Sequence, residues 1–241
     1  MPNVVQYRLP HDESLHIIAI EAGPGMTWCY LCVDESSKRA VLFDAPFGAM
    51  AIIDEIMHEY SYELEGLYLT HSHWDHTAEA ALIAGTYRIP VYIHPEDNYR
   101  LISPMDHTLW QLPFEISPIH NAVFLHMDES FHCGSWTFSL RHVPGHTEGS
   151  VCFYDAQAGI LIAGDTLFAG SIGRTDLPGG NHQQLLDSLH AQVLTLDDAT
   201  VVLSGHGDAT TIGHERRFNP YVGQSDTALY HEVSSKNDEN E

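Results

Sequence analysis

The chain has 241 residues, 44% of them hydrophobic and 10% aromatic, which is the composition of a folded globular protein and not of a disordered one. Its formal charge of -23, from 33 acidic against 10 basic residues, leaves no Lys/Arg cluster with which to displace the counterions of a nucleic acid. No apolar run approaches the roughly 18 residues of a membrane span, and the opening Met1-Pro2-Asn3-Val4-Val5 lacks the basic-then-apolar order of a secretory signal. A soluble, cytoplasmic protein acting on a small molecule is expected, monomer or homodimer, with no nucleic-acid or membrane partner.

In chain order, 16–22, 27–33 and 40–44 read as strands separated by Gly23-Pro24-Gly25 and by the polar stretch 34–38. Cys29 and Cys32 have C-x-x-C spacing, but on a strand residues three apart face opposite sides, so two packed cysteines are expected. No second pair completes a four-cysteine zinc site. Ile52, Ile53, Ile56 and Met57 recur at helical spacing and predict a helix over 49–60. A short apolar strand, 64–70, leads to His71; a helix over 77–84 and a strand over 91–94 follow. The Pro-rich stretch from 95 to 130 predicts one short helix and a long loop of the kind that forms lids. Strands are expected over 131–143, 150–155, 159–163 and 200–203, with a helix over 183–194. The two halves share an order of strands, helix, then a strand opening onto histidine. Residues 1–226 are expected to form one domain and 227–241 a polar tail.

Histidine is abundant, at 18 residues, and spacing decides what that means. Thr70-His71-Ser72-His73-Trp74-Asp75-His76-Thr77 places four candidate ligands within six residues, between an apolar strand and a helix. His71 and His73, two apart in extended chain, point to one side. His146, Asp165 and His206 each follow an apolar strand, and each is preceded by a glycine, at 145, 164 and 205. Glycine permits the sharp turn such a strand end requires, and strand-end loops on a rigid sheet are a usual place for function. Imidazole and carboxylate ligands without thiolate suit Zn(II), Fe(II) or Mn(II).

The pattern His71-x-His73-x-Asp75-His76, His146, Asp165, His206 resembles the metallo-β-lactamase superfamily, and within it the short, single-domain, glyoxalase II-like hydroxyacylglutathione hydrolases. Gly173-Arg174-Thr175-Asp176-Leu177-Pro178-Gly179-Gly180 and Thr210-Thr211-Ile212-Gly213-His214-Glu215-Arg216 extend the likeness. The resemblance implies an α+β fold, a four-layer αββα sandwich with metals at one edge of the sheets. It also implies one ion on His71, His73 and His146, a second on Asp75, His76 and His206, and Asp165 bridging. The implied cofactors are two divalent metal ions, with zinc expected and Fe(II) or Mn(II) as alternatives. The implied activity is hydrolysis of a glutathione thioester such as S-lactoylglutathione, or of a related small acyl substrate, by a metal-bridged hydroxide, with Asp75 and His76 in catalytic positions. A C-terminal helical domain like the one that binds glutathione in glyoxalase II is not expected here. Arg174, His214 and Arg216 are the remaining candidates for substrate contact, against an Arg174–Asp176 ion pair and surface positions for Arg216 and Arg217. The alternatives on this scaffold are a persulfide dioxygenase with one Fe(II) on His71, His146 and Asp165, or a lactonase. A β-lactamase is less expected, because such enzymes usually carry Cys at the position of Asp165 or an altered ligand motif. His16, His58, His94, His120 and His142 lack strand-end context and are expected to be surface or packing residues.

Overall fold

The computed structural model describes residues 3–9 and 12–223. The expected tail, 227–241, lies outside the described residues, as do the last residues of the expected domain.

Two sheets carry the architecture. The first has seven strands in sequence order: β1 (Asn3–Leu9), β2 (Asp12–Ala22), β3 (Thr27–Asp34), β4 (Arg39–Phe43), β5 (Glu63–Tyr68), β6 (Val91–Ile93) and β7 (Val123–Phe124). Its β1–β4 part is antiparallel; from β4 onward the neighbours are parallel. The second sheet contains β8 (Ser130–Cys133), β9 (Trp136–His142), β10 (Val151–Asp155) and β11 (Ile160–Gly164). A small hairpin of β12 (Leu167–Phe168) and β13 (Ser171–Ile172) follows, and β14 (Val201–Ser204) and β15 (Thr210–Thr211) complete the second sheet in the order β15-β14-β11-β10-β9-β8. The helices are α1 (Met50–Tyr60), α2 (Trp74–Thr77), α3 (Ala80–Tyr87), α4 (Asn98–Ile102), α5 (His182–Ser188) and α6 (Ile212–Phe218).

Side-chain alternation turns these strands into layers. On β3, Cys29, Leu31 and Val33 face a core shared with Ile53 and Met57 of α1 and Ile83 of α3. Trp28, Tyr30 and Cys32 face the opposite way, into a core shared with Phe138, Phe153 and Ile162 of the second sheet. The outer face of that sheet, through Cys152, Leu161 and Val202, packs on Leu185, Leu189 and Ile212. Helix, sheet, sheet, helix is therefore the order of layers, as expected, because both sheets bury both faces. Cys29 and Cys32 lie in different cores, and both are free thiols.

Several local expectations change. The strand Asn3–Leu9 was not anticipated; it is an edge strand whose partly exposed residues weaken the apolar signal. The expected strand 131–143 is a hairpin, β8 and β9, turning at Gly134 and Ser135. The helix expected at 77–84 is two helices: α2 begins at Trp74, so Asp75 and His76 sit on a helical turn and not ahead of one. The helix expected over 183–194 begins as α5 and widens into a π-turn at Leu189–Val193. Segment 95–130 holds more than one short helix: a 3-10 turn at Pro95–Asp97, α4, and a 3-10 turn at Pro104–His107.

Candidate metal centre

Strand ends deliver the candidate ligands to one edge of the sandwich. The chain leaves β5 at Tyr68 and reaches His71 and His73 before α2; it reaches His146 after β9, Asp165 directly after β11, and His206 after β14. The glycines ahead of them are required by space. Gly145 has φ +129, and a side chain there would enter the backbone of Leu185. A Cβ at Gly205 would occupy the space of Asp165 Oδ1 and the His76 ring.

All seven candidate ligands converge. Ligand atoms of His71, His73 and His146 lie within 4.8 Å of one another, as do those of Asp75, His76 and His206. Asp165 groups with His71 and His76 and so lies between the two sets. His146 Nε2 is 2.9 Å from His73 Nδ1 and 3.2 Å from His71 Nε2. Across the site, His206 Nε2 is 3.2 Å from Asp75 Oδ2 and 3.4 Å from Asp165 Oδ2. His76 Nε2 and Asp165 Oδ1 face each other at 3.2 Å, yet both are buried without a hydrogen-bond partner. Unpartnered buried polar atoms are costly. Here two of them, one a ring nitrogen and one a carboxylate oxygen, point at one spot, which is what a cation between them would satisfy.

The other ring nitrogens of four of the five histidines are committed. His76 Nδ1 donates to Asp44 Oδ2 at 2.7 Å, His146 Nδ1 to the Arg174 carbonyl at 2.7 Å, and His206 Nδ1 lies 3.3 Å from the Met26 carbonyl. His71 Nδ1 is 3.0 Å from Thr70 Oγ1, which itself donates to Asp44 Oδ2. Each such bond fixes a tautomer that leaves the inward nitrogen free to ligate. Thr27 Oγ1 likewise donates to Asp75 Oδ2 at 3.0 Å.

The titration shifts divide the site. Burial, reinforced by neighbouring imidazoles, lowers His71 well below its ordinary value and His73 to about 3; burial also lowers His146. These three are neutral at pH 7. For His76, burial opposes the charge but Asp165, Asp44 and Asp75 outweigh it and push the group well up. For His206, burial again opposes, and bonds to Asp165 and Asp75 raise it to about 10. Burial would raise Asp75 and Asp165, yet the adjacent His76 and His206 hold Asp75 at about 2 and Asp165 well below the ordinary carboxylate range. The second half of the site is thus carboxylate-rich and favours positive charge, and the first is a neutral imidazole cluster.

The remaining expected residues fall elsewhere or are engaged. Arg174 lines the metal cleft, a cavity of about 390 Å³, but both its Nε and Nη2 bond Asp176 at 2.8 Å. Arg216 is not brought to the cleft: it caps the carbonyls of Leu194 and Leu196 and pairs with Asp198. His214 lies on the same helix against Phe218 and is also away from the cleft. Arg217 pairs with Asp198 at the surface. His16 is buried against Tyr62, and His58 is exposed. His94 and His142 form a fourth group with Glu96. Their rings stack at 4.1 Å and 14°, so a shared ion would lie out of both ring planes, which is poor geometry for imidazole ligation.

Two supporting carboxylates were missed. Asp44 ends β4 as Asp165 ends β11, so the apolar-strand-then-Asp pattern could have revealed it. Asp97 had no such signal. It is fully buried and accepts from Ser72 N, Ser72 Oγ, Thr147 Oγ1 and Gly149 N at 2.7–2.9 Å.

An αββα sandwich with a polyhistidine and carboxylate centre at the strand ends defines a class of metal-binding proteins. The metallo-beta-lactamase superfamily profile matches residues 22–206, and the chain belongs to that superfamily. It is similar to the hydroxyacylglutathione hydrolase GloC of Haemophilus influenzae, 29% identical over 212 residues, covering 87% of this chain and 97% of the relative. Among solved structures it is similar to the BLEG-1 B3 metallo-beta-lactamase, with TM-score 0.78 and 39% identity over 85% of this chain and 98% of that one. It is also similar to TTHA1623 in a di-iron-bound form, with TM-score 0.75 and 32% identity over 84% and 98%. The chain is thus a metallo-hydrolase of a superfamily that binds divalent metals and acts on small molecules. Among the described residues no helix is long and apolar enough to cross a membrane.

Proposed function

We propose that the chain hydrolyses the thioester of a small acyl group, of the S-lactoylglutathione type, at a two-metal centre. His71, His73 and His146 hold one ion; Asp75, His76 and His206 hold the other; Asp165 bridges. The observation that carries this reading is the unpartnered, buried pair His76 Nε2 and Asp165 Oδ1 at the junction of the two ligand sets. The second set of three ligands is what a single-iron persulfide dioxygenase would leave unused. Two divalent ions, zinc in our reading with Fe(II) or Mn(II) as alternatives, supply an activated water at neutral pH and a Lewis acid for the carbonyl. The chain's own contribution is to hold that chemistry in place. Asp44 orients His76, the Arg174 carbonyl orients His146, and Thr27 orients Asp75. The likeness to GloC supports a thioester, and the likeness to BLEG-1 favours a second reading, β-lactam hydrolysis. Metal analysis of the purified protein with an S-lactoylglutathione assay tests the proposal. Two ions per chain with thioester turnover support it. One iron with oxygen uptake on glutathione persulfide refutes it, and turnover of β-lactams alone transfers it to the second reading.

A further inference from the structure

A second, smaller cavity of about 120 Å³ opens beside the metal cleft and shares His73, Trp74, Trp110 and Leu177 with it. The two indoles form the partition, their centroids 6.4 Å apart. Phe114 holds the segment beyond Trp110 in position by stacking on Phe47 at 4.0 Å. Trp110 and Leu109 remain 46% and 62% exposed at this rim, so folding leaves their apolar surface unsatisfied.

The polar groups in the smaller cavity offer little to an anionic ligand, although His107 also lines it, edge-on to Tyr99. Arg100 is buried, and its guanidinium is taken up by Asp97, Glu148 and the Pro178 carbonyl. Tyr99 Oη donates to Glu148, and Ser72 Oγ to Asp97. Asp106 adds a negative charge to the wall. On the metal cleft itself Arg174 is engaged by Asp176. A glutathione moiety carries two carboxylates, and no unpaired guanidinium lines either cavity to receive them.

We infer that this cavity receives an uncharged, apolar substituent of the substrate, an aryl or branched alkyl group, while the scissile carbonyl lies beyond the indoles at the ligand cluster. This rests on the thioester reading and deepens it: the substrate class is an aryl or alkyl thioester, and glutathione is not its preferred thiol. The group can come from the acyl side or the thiol side of the sulfur, and the test separates them.

The metal-loaded protein is assayed with S-methyl thioacetate, with S-methyl phenylethanethioate (ring on the acyl side), with S-benzyl thioacetate (ring on the thiol side), and with S-lactoylglutathione. One ring-bearing thioester should exceed S-methyl thioacetate in kcat/KM by about tenfold or more, since a filled apolar pocket discriminates by that order. Which ring is preferred names the side. Trp110→Ala and Leu109→Ser should bring the ratio towards one; both side chains are exposed enough for the fold to tolerate the change. A wild-type ratio near one, or a ratio the variants do not move, overturns the inference. So does S-lactoylglutathione turning over faster than both ring-bearing thioesters, a result that leaves the hydrolase reading standing. If no thioester is cleaved, the thioester reading fails, and the cavity is tested alone by titrating 4-phenylbutanamide and following tryptophan emission. Saturable binding weakened by Leu109→Ser then supports the cavity, and no binding overturns it.

Discussion

On the two-metal reading, Asp97→Asn tests how His71, His73 and His146 are held. The substitution keeps the shape of the side chain and replaces one acceptor oxygen by an NH2 donor. Asp97 Oδ2 accepts from the Ser72 N–H, the Ser72 hydroxyl and the Thr147 hydroxyl; Oδ1 accepts from the Gly149 N–H and faces Arg100. Hydroxyls can turn, but the two backbone N–H groups cannot. Whichever way the amide sits, one of them meets a donor, at a cost of about 1–3 kcal/mol for a buried unsatisfied group. Arg100 also loses one of its two carboxylates; breaking a buried ion pair costs about 3–5 kcal/mol when nothing replaces it. Arg100 keeps Glu148 and the Pro178 carbonyl, so that second loss falls below the full value. A net destabilisation of about 3 kcal/mol follows. Ser72 lies between His71 and His73, and Thr147 follows His146, so the loss concentrates on that ligand set. Denaturant unfolding should show the shift, and metal analysis at limiting free metal should fall from two ions per chain towards one. Wild-type stability with two ions retained at wild-type affinity refutes the clamp; equal loss of both ions shows that Asp97 supports the fold and not that set.

Further outcomes follow from the same contacts. Asp44→Asn leaves the His76 ring with a weaker acceptor and should lower metal affinity about 10–100-fold, read by competition with a chromogenic chelator. Gly205→Ala pushes a methyl into Asp165 and His76 and should abolish binding of the second ion while circular dichroism retains the mixed sheet and helix signal. Asp34 is held at about 2: burial opposes ionisation, but bonds from Ser36, Ser135 and Ser37 outweigh it. Its folded pKa lies below the unfolded one, so its contribution is complete above about pH 4 and is lost as pH falls towards 2. Denaturation midpoints for wild type and Asp34→Asn should therefore converge across that interval, and midpoints that stay parallel would refute the assignment.

The candidate ligands were legible because each advertises itself locally. His71, His146, Asp165 and His206 follow apolar strands, and a strand that ends in glycine and a ligand reads the same in one dimension as in three. The layers were legible for a similar reason, since alternation on β3 sends Cys29 and Cys32 to different cores without knowledge of what packs there. Edge strand β1 was lost because one partner and a half-exposed face leave a weak pattern. The supports were illegible for a different reason: their meaning lies in long-range approach. Asp97 acts on residues 25 and 50 positions away, and Asp44 on one 32 positions away. Arg174 was legible in the sequence as either a substrate contact or an ion pair with Asp176. Beside the metal cleft a lone guanidinium looks like an anion site, but two residues further on stands the carboxylate that occupies it. Ligands are set by what the chain does locally, and ligand strength by what the fold brings behind them. Substrate choice here follows the second kind of information, because the partition of Trp74 and Trp110 joins a motif residue to a loop residue that no local pattern connects.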